Sequence, residues 1–272
     1  LNAALDKGYD FNKRIPSTVL SSEKYPQGIL TSTLAIDLCK PQILEILISK
    51  GANIVHNLET GDLPLISCVK NIISLNHNSG GAAKIHDYKK IIRIIAKNQP
   101  DIVNKMDSFG YPLHYAASAM HEDLVELLLN AGANPKLLDK NGYSPLHIAI
   151  SAQDHSHDNH DSLEDESHAH GHQEEIAVML LNNGANVNQA NPKNMSPLML
   201  ACEKNYVVLG ELLISKSANL NWSNNLGVTC MHIAALNGNV DFCKLLINNN
   251  AKLNPRIISG PKKGSTPLSI AI

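Results

Sequence analysis

The sequence predicts an all-α protein made of stacked helix pairs, and three observations support this prediction. A short motif recurs at an interval of 33 residues, as from Leu113 to Leu146 and from Leu198 to Met231. Each full copy is followed by an apolar stretch and then by Gly-Ala-Asn or a variant of it. Aromatic residues make up only 4% of the 272 residues, a low supply for one compact core, whereas Ala, Leu and Ile are abundant. A helical solenoid fits this composition.

The first helix of each pair is predicted from the motif itself. Its Pro suits the first helical position, because the ring presets the backbone angle and removes no N–H that the helix needs. Small Ala residues near its end allow close approach of neighbouring helices. The full copies lie at residues 111–116, 142–149, 196–201 and 227–234, and weaker copies lie at 32–34, 63–65 and 266–268.

The second helix and the turn after it complete each unit. Apolar stripes at 124–129 and 176–181 predict the buried face of a second helix. The glycines that follow, Gly51, Gly132 and Gly184, are expected where the helix ends in a left-handed conformation. Asp or Asn with Gly, as in residues 139–142, then predicts the turn of a projecting hairpin.

The period and the two motifs resemble the ankyrin repeat over almost the whole chain. The resemblance implies an all-α ankyrin-repeat solenoid of helix-turn-helix units with projecting β-hairpin loops, and we predict a single domain over residues 1–272. We place repeats at roughly 22–56, 57–104, 105–137, 138–190, 191–223 and 224–259, with partial repeats at 1–21 and 260–272. Because the last partial repeat would leave an apolar face uncovered, we expect the natural chain to continue.

Two insertions lengthen repeats between the first and second helices. They are placed at roughly 76–87 and 153–173, and they are expected to leave one edge of the array as surface loops. A shorter extension, residues 255–263, lengthens a hairpin and carries Arg256, Lys262 and Lys263.

Composition argues against several classes of partner and compartment. The net charge of -2 gives no global attraction to nucleic acid. The sequence contains no stretch of about 18 apolar residues that could cross a membrane. Nothing in residues 1–7 resembles a signal peptide. The five cysteines contain no C-x-x-C pair, which favours free thiols in a reducing compartment. All five fall at or near helix positions that are expected to pack inside. We therefore predict a monomeric cytoplasmic protein without nucleic-acid or membrane partners.

The histidines of the motif are predicted to be structural rather than catalytic. His114, His147 and His232 occupy one repeated position, where the ring can bond the hydroxyl group three residues earlier in the second and third of these copies. Met199 replaces the histidine in another repeat, and no nucleophile or carboxylate recurs beside these rings. We therefore predict no enzymatic activity, no catalytic residues and no cofactor.

The second insertion is rich in His, Asp and Glu. Imidazole and carboxylate groups can bind zinc, nickel or copper, but a loop without an apolar anchor loses conformational entropy when it wraps an ion. Weak metal binding and an unliganded spacer both remain open, and the acidic loop would also gain positive charge near pH 6. The six candidate metal ligands are His155, His157, His160, His168, His170 and His172.

The ankyrin resemblance implies that hairpin tips and the exposed side of the first helices bind a partner protein. Four of the eleven Phe, Tyr and Trp residues fall at hairpin positions, where they suit interface anchors or, alternatively, pack on adjacent hairpins. The predicted binding residues are Phe109, Tyr111, Lys140, Asn141, Tyr143, Lys193, Met195, Glu203, Lys204, Trp222, Asn225 and Leu226, with Ser108 and Asn237 beside them.

The function predicted from these features is that of a protein–protein interaction scaffold. One alternative is that the array is the targeting arm of a larger enzyme or bacterial effector whose catalytic domain lies outside this sequence. The effector reading rests on a composition that looks similar to that of ankyrin proteins delivered by intracellular bacteria into host cells. Such an effector would act in the host-cell cytoplasm. A second alternative is metal-responsive binding through the His-rich loop.

Deleting residues 154–173 tests whether the His-rich loop binds metal. We expect the intact chain to bind zinc weakly and the deleted chain to lose that binding, because the deletion removes all six candidate ligands. Titration calorimetry of both chains with zinc measures the effect. Equal heats from the two chains would end the metal hypothesis.

Overall fold

The computed structural model describes residues 10–16, 29–54, 63–76, 81–152 and 171–272. Within these ranges the chain forms thirteen α-helices and one 3₁₀ helix, and β structure is limited to isolated bridges between Ile15 and Ile29 and between Ser223 and Thr229. The predicted all-α fold is confirmed. The helices are α1 (Thr31–Asp37), α2 (Pro41–Ser49), α3 (Pro64–Asn76), α4 (Ala82–Asn98), the 3₁₀ helix (Pro100–Asn104), α5 (Pro112–Ser118), α6 (Glu122–Asn130), α7 (Pro145–Ser151), α8 (Gly171–Asn182), α9 (Pro197–Lys204), α10 (Val207–Ser215), α11 (Cys230–Asn237), α12 (Val240–Asn248) and α13 (Pro267–Ala271).

The helices pack as pairs within two compact units. The first unit contains residues 1–116 and 130–133, and the second contains residues 117–129 and 134–272. In the first unit α1 packs on α2 and α3 on α4, while α1 also contacts α3 and α2 contacts α4. In the second unit α7, α9, α11 and α13 form one layer, and α8, α10 and α12 form a second layer beside it. Each unit is therefore a two-layered stack of helices.

Hydroxyl side chains begin several of the first helices. Ser144 accepts a hydrogen bond from the backbone N–H of His147, and Ser196 and Thr266 accept from the residues three positions later in their own helices. Each cap is followed by Pro at the first helical position. A cap of this kind stabilises a helix by about 1 kcal/mol, so the motif predicted from the sequence marks the helix start physically.

Left-handed residues end the second helices, as predicted. Gly51, Gly132 and Gly184 have φ angles of 85°, 91° and 92°. Ser217 and Asn250 replace glycine at the equivalent places and still adopt φ angles of 69° and 62°. The stack therefore imposes this geometry even where a side chain makes it less favourable.

Parts of the two segments predicted as inserted loops are helical. Helix α4 begins at Ala82, so residues 82–87, predicted as loop, form its first turns, and Asn76 is the last residue of α3. Helix α8 begins at Gly171, so residues 171–173 are helical as well. The predicted boundaries were wrong because a fixed repeat length assigned every additional residue to a loop, whereas residues 82–87 form additional turns of α4. Residues 77–80 and 153–170 lie outside the described residues.

Helices α10 and α12 approach each other closely at Gly210. A Cβ atom at this position would lie 2.7 Å from Cζ of Phe242, whose side chain is fully buried. The absence of a side chain thus sets the spacing between the two helices. None of the described helices combines the length and apolar character needed to cross a membrane.

Replacing Gly210 with Ala should destabilise the second unit. Alanine improves helix propensity by about 1 kcal/mol, but the added methyl group overlaps a buried ring, and overpacking costs about 1–3 kcal/mol. We expect a net loss of about 1 kcal/mol in the free energy of unfolding, measured by urea denaturation. The exposed neighbour Glu211 provides the control, since Glu211→Ala should change stability by less than about 0.5 kcal/mol. A Gly210→Ala variant more stable than the wild type would contradict this packing.

Candidate protein-binding surface

The hairpin turns that carry the predicted binding residues share one internal brace. Oδ1 of Asp139 accepts hydrogen bonds from the backbone N–H groups of Asn141, at 2.9 Å, and Tyr143, at 2.8 Å. The backbone N–H of Asp139 also donates to the carbonyl oxygen of Tyr143 at 2.8 Å. The turns that begin at Asn191 and Asn224 repeat all three bonds. An Asx brace of this kind fixes the backbone and leaves the tip side chains free to face outward.

The turn at residues 107–110 presents the most exposed of the predicted aromatic residues. Oδ1 of Asp107 accepts from the backbone N–H groups of Phe109, at 2.8 Å, and Gly110, at 3.0 Å. The Phe109 side chain is 61% exposed, an unusual position for a large apolar ring. Phe109 therefore has the exposure that an interface anchor requires.

A buried polar cluster that the sequence analysis missed holds this turn. The Asp107 side chain is only 3% exposed and contacts Lys70 Nζ at 3.1 Å and the Tyr115 hydroxyl at 2.8 Å. Lys70 Nζ also lies 5.0 Å from the centre of the Tyr115 ring, a cation–π geometry. Tyr115 occupies a motif position that is Ile in two other copies, which is the signal that could have revealed the cluster.

The cluster shifts the pKa values of Asp107 and Tyr115. Burial acts to raise the pKa of Asp107, but the N–H donors of Gly110 and Phe109, with Tyr115 and Lys70, more than offset it and the pKa falls. Burial, followed by the hydrogen bond to the Asp107 carboxylate, raises the pKa of Tyr115 to about 12. Asp107 is therefore held as a carboxylate that organises the turn.

Tyr111 and Tyr143 are half-buried against the motif histidines. The ring centre of Tyr111 lies 5.5 Å from that of His114, and the Tyr143 ring meets His147 edge-on at 6.2 Å. One side of each tyrosine is thus used in packing, while the remainder is exposed. Each tyrosine ring can therefore serve both roles considered from the sequence, packing on its buried side and partner contact on its exposed side.

Trp222 is anchored within the second unit. Its indole N–H donates to the carbonyl oxygen of Asn194 at 3.0 Å, and the side chain is half-buried. The Asn194 amide in turn donates to Asn225 Oδ1 at 3.0 Å and to the Ser223 carbonyl oxygen at 3.3 Å. The structure therefore places Trp222 and Asn225 in a network between two adjacent turns, in which Asn225 is exposed and Trp222 is only partly accessible to a partner.

The other predicted binding residues in the second unit lie at its surface. Asn237 reaches the carbonyl oxygen of Glu203 on the preceding first helix at 3.5 Å, and Leu226 is 45% exposed. Met195 is half-buried. Lys140, Asn141, Lys193, Glu203 and Lys204 are all exposed.

His147 and His232 each connect the start of a first helix to a loop further along the chain. His147 Nδ1 lies 2.8 Å from Ser144 Oγ, and Nε2 lies 2.9 Å from the carbonyl oxygen of Gln189 in the loop that follows α8. His232 makes the equivalent contacts to Thr229, at 3.0 Å, and to Ser265, at 3.4 Å. The predicted bond to the hydroxyl three residues earlier is confirmed, and both ring nitrogens of His147 and His232 serve in structural contacts.

Burial lowers the pKa of His147 to about 4, although hydrogen bonds to the backbone of Gln189 and Met195 oppose this change. Burial likewise lowers the pKa of His232. Four of the five cysteines are buried as predicted, Cys243 is half-buried, and burial raises the pKa of Cys230 to about 12. Low-pKa thiolates that could serve as nucleophiles are therefore not formed at these positions.

His172 is the candidate metal ligand that the structure describes. It lies in the first turn of α8, where Nδ1 contacts Oε1 of Glu122. A hydrogen bond to Glu122, and repulsion from it, raise the pKa of Glu175 on the same helix. No group of three or more His, Cys, Asp or Glu side chains arranged to hold a metal occurs in the described ranges. His155, His157, His160, His168 and His170 lie outside them, so the metal hypothesis stays a prediction.

Comparison with known families agrees with this architecture. A model of ankyrin repeats matches residues 81–160, 167–257 and 211–272, and a model of a single ankyrin repeat matches residues 141–192. These matches cover more than half of the chain. The chain therefore belongs to the ankyrin-repeat family.

Several larger proteins are similar to parts of this chain. The nuclear factor NF-kappa-B p105 subunit of Gallus gallus is 31% identical over 106 residues, which are 35% of this chain and 11% of that protein. The p105 subunit of Rattus norvegicus is 27% identical over 167 residues, 57% of this chain and 15% of that protein. The 2-5A-dependent ribonuclease of Homo sapiens is 33% identical over 87 residues, 28% of this chain and 12% of that protein. The chain thus spans only a small part of each of these relatives.

The pH dependence of stability tests the structural role of His147. Because its pKa is lowered from 6.5 to about 4, the unfolded chain takes up a proton between these values that the folded chain does not. Stability should therefore fall as the pH decreases through this range. The His147→Met variant carries the residue that the fifth repeat has at the equivalent position, Met199. Between pH 7 and pH 5 its free energy of unfolding should fall by about 2 kcal/mol less than that of the wild type.

Urea denaturation at the two pH values measures this change. Met199→Leu is the matched control, since it alters the equivalent buried position without removing a titratable group. Its pH dependence should parallel that of the wild type. A His147→Met variant with the wild-type pH dependence would show that folding does not lower the pKa of His147.

Proposed function

We propose that this protein is a non-enzymatic interaction module that binds a partner protein through hairpin tips and the exposed side of first helices. Ankyrin repeats generally mediate protein–protein interaction, and membership of the family supports this class of function. The relatives named above share only a limited region with this chain, so their activities remain properties of those proteins.

The observation that carries the proposal is the exposure of Phe109 on a rigid turn. The Asp107 brace and the Lys70–Tyr115 cluster fix the backbone at this tip before any partner arrives. A pre-organised anchor loses little conformational entropy on binding, which leaves more of the contact energy for affinity. Burying an exposed aromatic ring of this size contributes about 2 kcal/mol or more to association.

The second unit offers a surface of mixed character for the same purpose. Its turns carry exposed polar and charged residues, such as Lys140, Asn141 and Lys193, together with the partly accessible rings of Tyr143 and Trp222. Such a pattern, with aromatic anchors inside a polar rim, is typical of protein interfaces. Glu203, Lys204 and Leu226 extend it.

We also propose a monomeric protein that acts in the cytoplasm. The five cysteines are free thiols, four of them buried in packed positions. Thiols that fill the core in this way suit a reducing compartment. Size-exclusion chromatography with light scattering measures the oligomeric state directly.

Replacing Phe109, Tyr143 and Trp222 together with Ala should weaken partner binding by at least about 10-fold, because truncating each anchor costs about 1 kcal/mol or more. Affinity capture from cell extract with wild-type and variant chains, followed by quantitative mass spectrometry, identifies partners whose recovery falls. Circular dichroism checks that the variant is folded.

The matched control removes an equal number of exposed apolar side chains from second helices. Ile43, Val208 and Ile247 are 40%, 58% and 50% exposed and lie on α2, α10 and α12. Their triple Ala variant should retain wild-type capture. Capture that survives the loss of the hairpin aromatics but not of these helix residues would move the binding surface to the second helices.

A further inference from the structure

The last described hairpin differs from the others in length and in the contacts it makes. Residues 255–265 form two short arms, joined by hydrogen bonds from Ile257 N–H to Ser265 O, at 3.0 Å, and from Gly264 N–H to Ile257 O, at 2.8 Å. The N–H groups of Ile258, at 2.8 Å, and Ser259, at 3.3 Å, both donate to the carbonyl oxygen of Leu226. The long hairpin is thereby fastened to the tip of the preceding turn.

This attachment brings two exposed apolar side chains together. Leu226 is 45% exposed and Ile258 is 64% exposed. Cγ1 of Ile258 lies 3.0 Å from the position of a Cβ on Gly227, and Cδ2 of Leu226 lies 3.8 Å from that of a Cβ on Gly260. The two side chains therefore flank the same backbone contact and form a small apolar ridge.

The charge around this ridge is strongly one-sided. The sequence contains no Asp or Glu after Asp241, whereas residues 242–272 contain five Lys and Arg residues in a chain whose net charge is -2. Lys244 is paired with Asp241 at 2.8 Å on α12. Three of the remaining cations, Arg256, Lys262 and Lys263, belong to the long hairpin.

The hairpin holds these cations close together. Arg256 Nη1 donates to the carbonyl oxygen of Gly264 at 2.9 Å, which places the guanidinium beside the turn that contains Lys262 and Lys263. All three side chains are exposed. A local excess of positive charge therefore borders the apolar ridge.

We propose that Leu226 and Ile258, with Arg256, Lys262 and Lys263, form a docking surface for an acidic segment of a partner protein that also carries large aliphatic side chains. The inference rests on the proposed interaction function and names the chemistry of one partner. The cations attract carboxylates and accelerate encounter, while burial of the ridge supplies affinity that does not depend on salt.

An acidic peptide fits these features better than nucleic acid does. Three clustered cations can neutralise about three phosphates, which gives only a weak electrostatic footprint. Within the described part of the chain, the ridge is aliphatic, and aliphatic side chains offer no stacking platform for bases of the kind that aromatic rings provide. Carboxylates interspersed with Leu would engage both the cations and the ridge.

The test uses the 272-residue chain and a fluorescent synthetic peptide rich in Glu with two Leu residues. Fluorescence anisotropy at about 50 mM and about 200 mM salt measures its affinity. We expect Lys262→Glu/Lys263→Glu to weaken binding by at least about 10-fold at low salt. Leu226→Ser/Ile258→Ser should also weaken it by about 10-fold, because two apolar contacts are lost.

The control variant makes the same change in charge elsewhere. Lys90→Glu/Lys97→Glu alters two exposed lysines on α4, in the other unit, and should change the affinity by less than about 2-fold. Circular dichroism verifies the fold of all variants. A second peptide with Ser in place of Leu should bind the wild type about as weakly as the first peptide binds Leu226→Ser/Ile258→Ser.

Three outcomes would overturn the inference. The first is that the Leu-containing peptide does not bind the wild type, and the second is that either hairpin variant binds it with wild-type affinity. The third is that a single-stranded oligonucleotide binds the wild type more tightly than the peptide does, and that Leu226→Ser/Ile258→Ser leaves this binding unchanged. If the peptide fails while the chain still captures a partner through Phe109, Tyr143 and Trp222, only the acidic-peptide chemistry is rejected. Loss of that capture would instead reject the proposed function.

Discussion

The architecture depends on the close approach of equivalent helices in successive repeats. Ala149, Ala201 and Ala234 occupy matching motif positions on α7, α9 and α11, and all three are completely buried in the second unit. Because a single helix pair leaves its apolar faces uncovered, its stability comes from contact with the pairs on either side. Small side chains let those faces meet along their length, and the core is therefore a succession of thin interfaces that needs few aromatic rings.

Hydrogen bonds between the loops fix the register of this stack, and asparagine side chains make several of them. The Asn188 side chain accepts a hydrogen bond from the N–H of Asn219 at 2.7 Å and donates one to the Ser217 carbonyl oxygen at 3.2 Å. In the next loop, the Asn221 side-chain oxygen accepts a hydrogen bond from the backbone N–H of Lys252 at 2.8 Å. An amide carries both a donor and an acceptor, so it can satisfy backbone groups that a loop would otherwise leave unpaired. His147 does the same with its two ring nitrogens.

The parts of the structure that follow from local sequence were predictable, and those that depend on distant contacts were not. The Pro-Leu-His motif and the glycines after the second helices carry their own conformational preferences, so helix starts and left-handed ends follow from short segments. The extra length of α4 was not predicted, because the repeat period does not fix the number of residues in each helix. The Lys70–Asp107 contact joins residues 37 positions apart, and the ridge depends on a backbone bond between Leu226 and Ile258. No periodic pattern in the sequence encodes either contact.

The Asx brace of the hairpin turns also has an evolutionary consequence. In the turns that begin at Asp139, Asn191 and Asn224, one repeated arrangement, an Asx oxygen bonded to main-chain N–H groups, determines the local conformation. Main-chain N–H groups are present whatever residue occupies the tip, proline excepted. Selection for foldability and selection for recognition consequently act on different positions, and the tips can diversify toward new ligands at little cost to the scaffold.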